Sequence, residues 1–197
     1  MISHKYKFIY TRLPKTGSRS VESILSKLKG VDNTGHHTIS KDITEDTKNY
    51  FKFTFVRNPW DRLISYYRWR KWGKDDCFSS KNKKFKDWVN DVVNLNLDEL
   101  TNTEGRLSNG PVMAIDQQYN SLKDGGTLCV DFIGKFENLQ EDFDFICDKI
   151  KIPQQKLPHK NKSKHNHYIE YYDDETRSIV AEKYAKDIEY FGYEFGG

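Results

Sequence analysis

The apolar positions of this chain fall into two rhythms that alternate along it. Tyr6-Lys7-Phe8-Ile9-Tyr10-Thr11 is short, aromatic and β-branched, and predicts a buried strand. Val21, Ile24, Leu25 and Leu28 then recur at i, i+3, i+4 and i+7, the stripe of an amphipathic helix. The same succession returns further on. Lys52-Phe53-Thr54-Phe55-Val56 predicts a second strand, ended by Arg57-Asn58-Pro59-Trp60-Asp61. Asn58 suits an N-cap, Pro59 the first helical position, and Asp61 makes a capping-box-like partner three residues on. Leu63, Ile64 and Tyr67 carry that helix to about Lys71. Two strand–loop–helix units in succession predict parallel strands in an α/β domain.

Beyond them the pattern is less regular. Asp42, Glu45 and Asp46 lie in a polar stretch that suits a short helix, and Lys74 to Lys84 reads as a polar, mobile loop. Phe85, Trp88, Val89, Val92 and Val93 predict another amphipathic helix, and Leu95 to Gly110 is irregular. Tyr119 to Leu122, Lys123-Asp124-Gly125-Gly126 and Thr127 to Phe136 predict a hairpin whose second arm is apolar enough for a core strand. Leu139, Phe143, Ile146 and Ile150 continue as a helix. Pro153 to Lys164 is a basic loop, and a last helix starts near Asp174 with Ile179, Val180 and Tyr184 inward.

At 197 residues the chain is expected to form a single domain over 1–197, large enough for a full core. Its 12 Phe and 12 Tyr argue against disorder although charged residues make up 31%. The net charge of +3 is small, so no nucleic-acid partner is implied. Cys77, Cys129 and Cys147 are odd in number and widely spaced, which suits neither a zinc site nor a disulfide framework. A cytoplasmic protein with no membrane span is the expectation, with a trimmed, membrane-anchored parent left open.

Candidate chemistry gathers at the first strand-to-helix junction, within RLPKTGSRSVESILSKL. Lys15, Thr16, Gly17, Ser18, Arg19 and Ser20 lie where backbone N–H groups and the positive end of a helix dipole converge, a setting for phosphate or sulfate. The order of residues is not that of a nucleotide-triphosphatase loop, because Lys15 precedes the glycine. In an α/β sheet, ligands sit beyond the carboxyl ends of the strands. Arg57 occupies the equivalent place after the second strand and can grip a phosphate bidentately, with Ser65 two helical turns on. Two adjacent anion sites would suit a nucleotide with phosphates at both ends of its ribose.

KTGSRS after one strand and VRNPWDRLISYYRW after another resemble the 5′-phosphosulfate loop and 3′-phosphate motif of sulfotransferases. DFIGKFENLQEDF, LPHKNKSKH and YYDDETRSIVAEKYAKDIEYFGYEF extend the likeness over most of the chain, and the carbohydrate group related to heparan sulfate 2-O-sulfotransferases is the most similar. The resemblance implies a P-loop NTPase-like, three-layer α/β/α sandwich with a central, mainly parallel sheet. It implies 3′-phosphoadenosine 5′-phosphosulfate (PAPS) as donor, adenosine 3′,5′-bisphosphate as product and no metal. The acceptor would be a small-molecule or glycan hydroxyl, reached by in-line transfer. Lys15, Thr16, Gly17, Ser18, Arg19 and Ser20 would hold the phosphosulfate, and Arg57 and Ser65 the 3′-phosphate. Asn161, Lys162, Ser163 and Lys164 would close over the nucleotide.

An acceptor hydroxyl needs a base, and histidine is the side chain poised near neutrality. The resemblance favours His36, with His37 second. Trp60, Trp69, Trp72 and Trp88 suit helix packing, although Trp69 or Trp72 could stack on a sugar. Two rival readings are a kinase-like phosphotransferase and a non-catalytic binding module for sulfate or polyanions. The first lacks the Walker lysine and a clear magnesium-binding Asp. Against the second, both a candidate base and Lys15 are present.

Overall fold

Strand β2, Phe8–Thr11, is buried along its whole length. It starts later than the aromatic run predicts because Lys7 adopts a left-handed backbone conformation (φ 54°) and ends the extended stretch. The turn before β2 brings it antiparallel to a short β1, Ile2–Ser3, which also pairs with β3, Val31–Asp32. On its other side β2 pairs in parallel with β4, Phe51–Val56, which pairs in parallel with a strand at Phe132–Lys135. The structure is a computed structural model and describes residues 1–34, 38–72, 77–95, 114–158 and 166–197.

With β5 at Lys123–Asp124 and β6 at Thr127–Leu128, the Phe132–Lys135 strand is β7, and the sheet order is β3-β1-β2-β4-β7. Only β1 runs against the other four strands. The fold is therefore α/β with a mostly parallel central sheet, as the repeated strand–loop–helix pattern predicts. The hairpin is smaller than expected. Gly125 and Gly126 adopt positive φ at the tip of the two-residue ladder β5–β6, and the core strand β7 is a separate element beyond it.

The chain divides into two compact units, each made of two segments: Met1–Arg57 with Asn120–Lys162, and Asn58–Tyr119 with Ser163–Gly197. The first holds the sheet, helix α1 (Ser18–Leu25) and a helix at Leu139–Lys149. Phe8, Tyr10, Phe53 and Phe55 point to one face of the sheet by strand alternation. There they share a core with Val21, Ile24 and Leu25 of α1 and with Phe143 and Ile146 of the second helix. Burying each such side chain contributes about 1.5–3 kcal/mol, so the apolar stripes account for why these helices lie on this sheet.

Among its described residues the second unit is helical. Its elements are α2 (Pro59–Arg70), α3 (Phe85–Val93), α5 (Asp174–Lys183) and α6 (Ala185–Phe191), so Leu139–Lys149 is α4. Asn58 caps α2 by accepting from the Trp60 N–H at 3.1 Å, and Pro59 takes the first helical position, as expected. Trp60 and Trp88 are core residues, whereas Trp69 and Trp72 are exposed. Within 77–84, part of the stretch read as a mobile loop, Phe78 is fully buried. Its carbonyl accepts from the Trp88 indole at 3.0 Å and from Arg70 Nε at 3.3 Å, and Ser80 Oγ donates to the Tyr67 carbonyl. Phe78 and these hydrogen bonds together anchor the stretch.

Candidate active site

The end of β2 leads into the loop 12–17 that the sequence singles out. Arg12, first in that loop, is taken up by α1 itself: its Nη1 lies 2.6 Å from Glu22 Oε1. Thr16 is fully buried and its hydroxyl donates to the Leu13 carbonyl at 2.9 Å, so the backbone N–H is the donor it can offer a ligand. Lys15 has φ 69° and Gly17 φ 77°, with Thr16 between them on the negative side. Alternation of backbone handedness is the form of anion-binding concavities, and left-handed lysine is a strained state of the kind that gathers at functional sites.

Gly17 is the N-cap residue of α1 and accepts from the Ser20 N–H at 2.9 Å. A Cβ there would come within 2.8 Å of Leu139 Cδ2 and 3.1 Å of Phe136 Cδ2. Glycine is required twice over at this position, for its dihedral and for the close approach of these side chains. Ser18 and Ser20 follow in the first turn of α1, with Ser20 buried and Arg19 exposed between them.

Arg57 arrives from β4 at the same place. It is 8% exposed, its Nη1 donates to the Lys15 carbonyl at 3.2 Å, and its guanidinium lies 4.0 Å from the centroid of the Phe136 ring. Burial lowers the Lys15 ammonium to a pKa of about 8, helped by the positive charges of Arg57 and Arg19. Lys15 on the turn thus has Arg57 from the end of β4 and Arg19 from the first turn of α1 near it. Positive charge gathered beside a helix N-terminus is chemistry that suits an anionic group.

Lys15, Thr16, Gly17, Ser18, Arg19, Ser20 and Arg57 are therefore brought together within one unit. Ser65 is half-buried on α2 in the other unit. His36, His37 and Asn161, Lys162, Ser163 and Lys164 lie outside the described residues. Phe136, beneath Arg57, escaped the sequence reading, because nothing in an aromatic residue after a strand marks it as a partner of a distant arginine. Among the described residues no group of three or more His, Cys, Asp or Glu is placed to hold a metal ion, and no helix is long and apolar enough to cross a membrane.

The fold is an α/β sheet with a lysine-bearing left-handed turn between a central strand, β2, and the N-terminus of α1, a place where such sheets commonly take their ligands. The profile of the Sulfotransferase family matches residues 1–194, and the chain belongs to that family. Its fold is consistent with the P-loop-like architecture the resemblance implies. Carbohydrate sulfotransferase 9 of Homo sapiens is 24% identical over 230 residues, covering 95% of this chain and 47% of that protein. Carbohydrate sulfotransferase 14 of Danio rerio is 22% identical over 226 residues, covering 98% of this chain and 61% of that protein. An uncharacterized protein of Archaeoglobus fulgidus is 27% identical over 107 residues, 54% of this chain. The chain spans roughly half to three-fifths of the length of the two carbohydrate sulfotransferases. No solved structure matches it.

Proposed function

We propose that this chain is a PAPS-dependent sulfotransferase that moves a sulfuryl group to a hydroxyl acceptor, a carbohydrate above all, with residues 1–197 acting as one catalytic domain. The observation that carries the reading is Lys15 on the left-handed turn before α1 with Arg57, from the end of β4, donating to its carbonyl, in a chain of the Sulfotransferase family. The carbohydrate acceptor is supported by the names of the relatives it matches.

In the transfer, the bond from sulfur to the bridging 5′-phosphate oxygen breaks as the acceptor oxygen bonds to sulfur in line with it. Negative charge grows on the bridging oxygen and spreads over the sulfuryl oxygens, so fixed donors and cations supply most of the catalysis. Lys15 neutralises the leaving oxygen. The N–H groups of the loop and the hydroxyls of Ser18 and Ser20 hold the phosphosulfate, and Arg57 with Ser65 holds the 3′-phosphate. Asn161, Lys162, Ser163 and Lys164 close over the nucleotide. His36 takes the acceptor proton, with His37 the second candidate, an effect of about 10²–10⁴ in rate. No metal is required by this scheme.

Binding tests the nucleotide choice. Adenosine 3′,5′-bisphosphate should raise the thermal unfolding midpoint by mass action, and ATP with magnesium should raise it little. An equal or larger shift with ATP would favour phosphoryl transfer instead. Separately, His36→Ala should lose activity by the factor above with nucleotide affinity nearly intact, and His37→Ala much less. The reverse pattern would assign the base to His37.

A further inference from the structure

We infer that Phe136 is a positioning residue for Arg57, and that through Arg57 it sets the preference of the site for a ribose carrying a 3′-phosphate. The inference rests on the nucleotide reading above and deepens it. Sheet register creates the pairing. Val56 and Lys135 are direct partners in the parallel ladder of β4 and β7, so the next residue on each strand, Arg57 and Phe136, leaves the sheet side by side. The backbone there is pinned, since the Lys135 N–H donates to Asp142 Oδ2 at 2.6 Å, and Phe136 opens the short 3-10 turn that leads into α4.

The guanidinium of Arg57 lies 4.0 Å from the Phe136 ring centroid. A cation at that distance is attracted by the negative face of the ring, more strongly once water is excluded, and Arg57 is 8% exposed. The support matters because Arg57 donates to the Lys15 carbonyl and so stands beside another cation of like charge. Ring and Lys15 carbonyl together fix the plane and one edge of the guanidinium, and bidentate grip of a phosphate depends on both. The same ring also lies against Gly17, where a Cβ would meet its Cδ2 at 3.1 Å. Phe136 therefore touches both candidate anion-holding segments, and a test must separate its effect on Arg57 from plain packing under the loop.

The experiment measures, by calorimetry, the affinities of adenosine 3′,5′-bisphosphate and adenosine 5′-monophosphate for the wild type, Arg57→Ala, Phe136→Leu, Phe136→Tyr and the double variant Arg57→Ala/Phe136→Leu. Phe136→Met serves as a second ring-free variant if the leucine protein does not fold. The wild type should prefer the bisphosphate, and Arg57→Ala should abolish most of that preference. Phe136→Leu should cut the preference by about three- to thirtyfold. Phe136→Tyr should stay within about twofold of wild type, and Phe136→Leu should change the preference no further when Arg57 is already alanine. If Arg57→Ala behaves as expected but the ring-free variants weaken both nucleotides equally, or neither, Phe136 only packs the loop and the inference fails alone. A wild type with no preference for the bisphosphate would overturn the nucleotide reading and this inference with it.

Discussion

Lys15 carries the most at the scale of single residues. Its pKa of about 8 stands below the ordinary lysine value of 10.5, first because it is buried and then because Arg57 and Arg19 are near. The sign of the linkage follows. Below pH 8 the ammonium is charged in folded and unfolded chains alike, and the unliganded fold bears the full penalty. Between pH 8 and 10.5 the unfolded chain holds more protons, so this group's unfavourable effect on stability is relieved as pH rises. A bound dianion needs the charged form. Affinity for adenosine 3′,5′-bisphosphate should therefore weaken by up to about tenfold per pH unit above 8, with uptake of a proton on binding. Calorimetry in buffers of different ionisation enthalpy would read both; an affinity flat from pH 7 to 10 would contradict the placement of Lys15 at the anion. In the same account Lys15→Ala should lower turnover more than it lowers affinity for the product, because it acts on charge that appears as the bond breaks. Full turnover in Lys15→Ala at saturating donor would remove its catalytic role. The loop residues were legible in the sequence because lysine, glycine and hydroxyls sat together between a strand and a helix. The ion pair of Arg12 with Glu22 and the stack of Arg57 on Phe136 were not, since each depends on segments meeting in three dimensions.

At the scale of elements, the turn into α1 depends on Gly17. Gly17→Ala places a Cβ at φ 77° and 2.8 Å from Leu139 Cδ2. The left-handed conformation alone costs an L-residue about 1–2 kcal/mol, and urea denaturation should show at least that loss together with weakened nucleotide binding. A Gly17→Ala protein of wild-type stability would mean the turn relaxes at no cost. The start of α2 makes a parallel case. Asn58 is 2% exposed, accepts from Trp60 N and donates through Nδ2 to the Glu194 carbonyl at 2.9 Å. Asn58→Ala removes a cap and leaves buried groups without their partner, a loss of about 1–3 kcal/mol; an unchanged urea midpoint would show that water or another side chain replaces it. Both helix starts could be read from sequence because capping is local chemistry. Elements whose limits depend on packing could not. The expected second arm of the hairpin separated into β6 and β7, and the last helix divides at Tyr184, whose hydroxyl reaches the Ile115 carbonyl at 2.7 Å.

For the whole molecule, the repeated strand–loop–helix pattern was enough to specify an α/β fold with parallel pairing of β2 and β4. The division into two units, each built from two separated segments, was not, because periodicity reports which face of an element is buried and not against what. Membership of the Sulfotransferase family extends over both units, from residue 1 to 194. The activity proposed for this chain is transfer of a sulfuryl group from PAPS. Its most direct test is to incubate the protein with PAPS carrying a labelled sulfate and a panel of polysaccharides and simple sugars. The expected result is label covalently attached to an acceptor, adenosine 3′,5′-bisphosphate released in equal amount, and loss of both with Lys15→Ala. Tight binding of PAPS with no label transferred to any acceptor, or transfer that persists undiminished without Lys15, would contradict it.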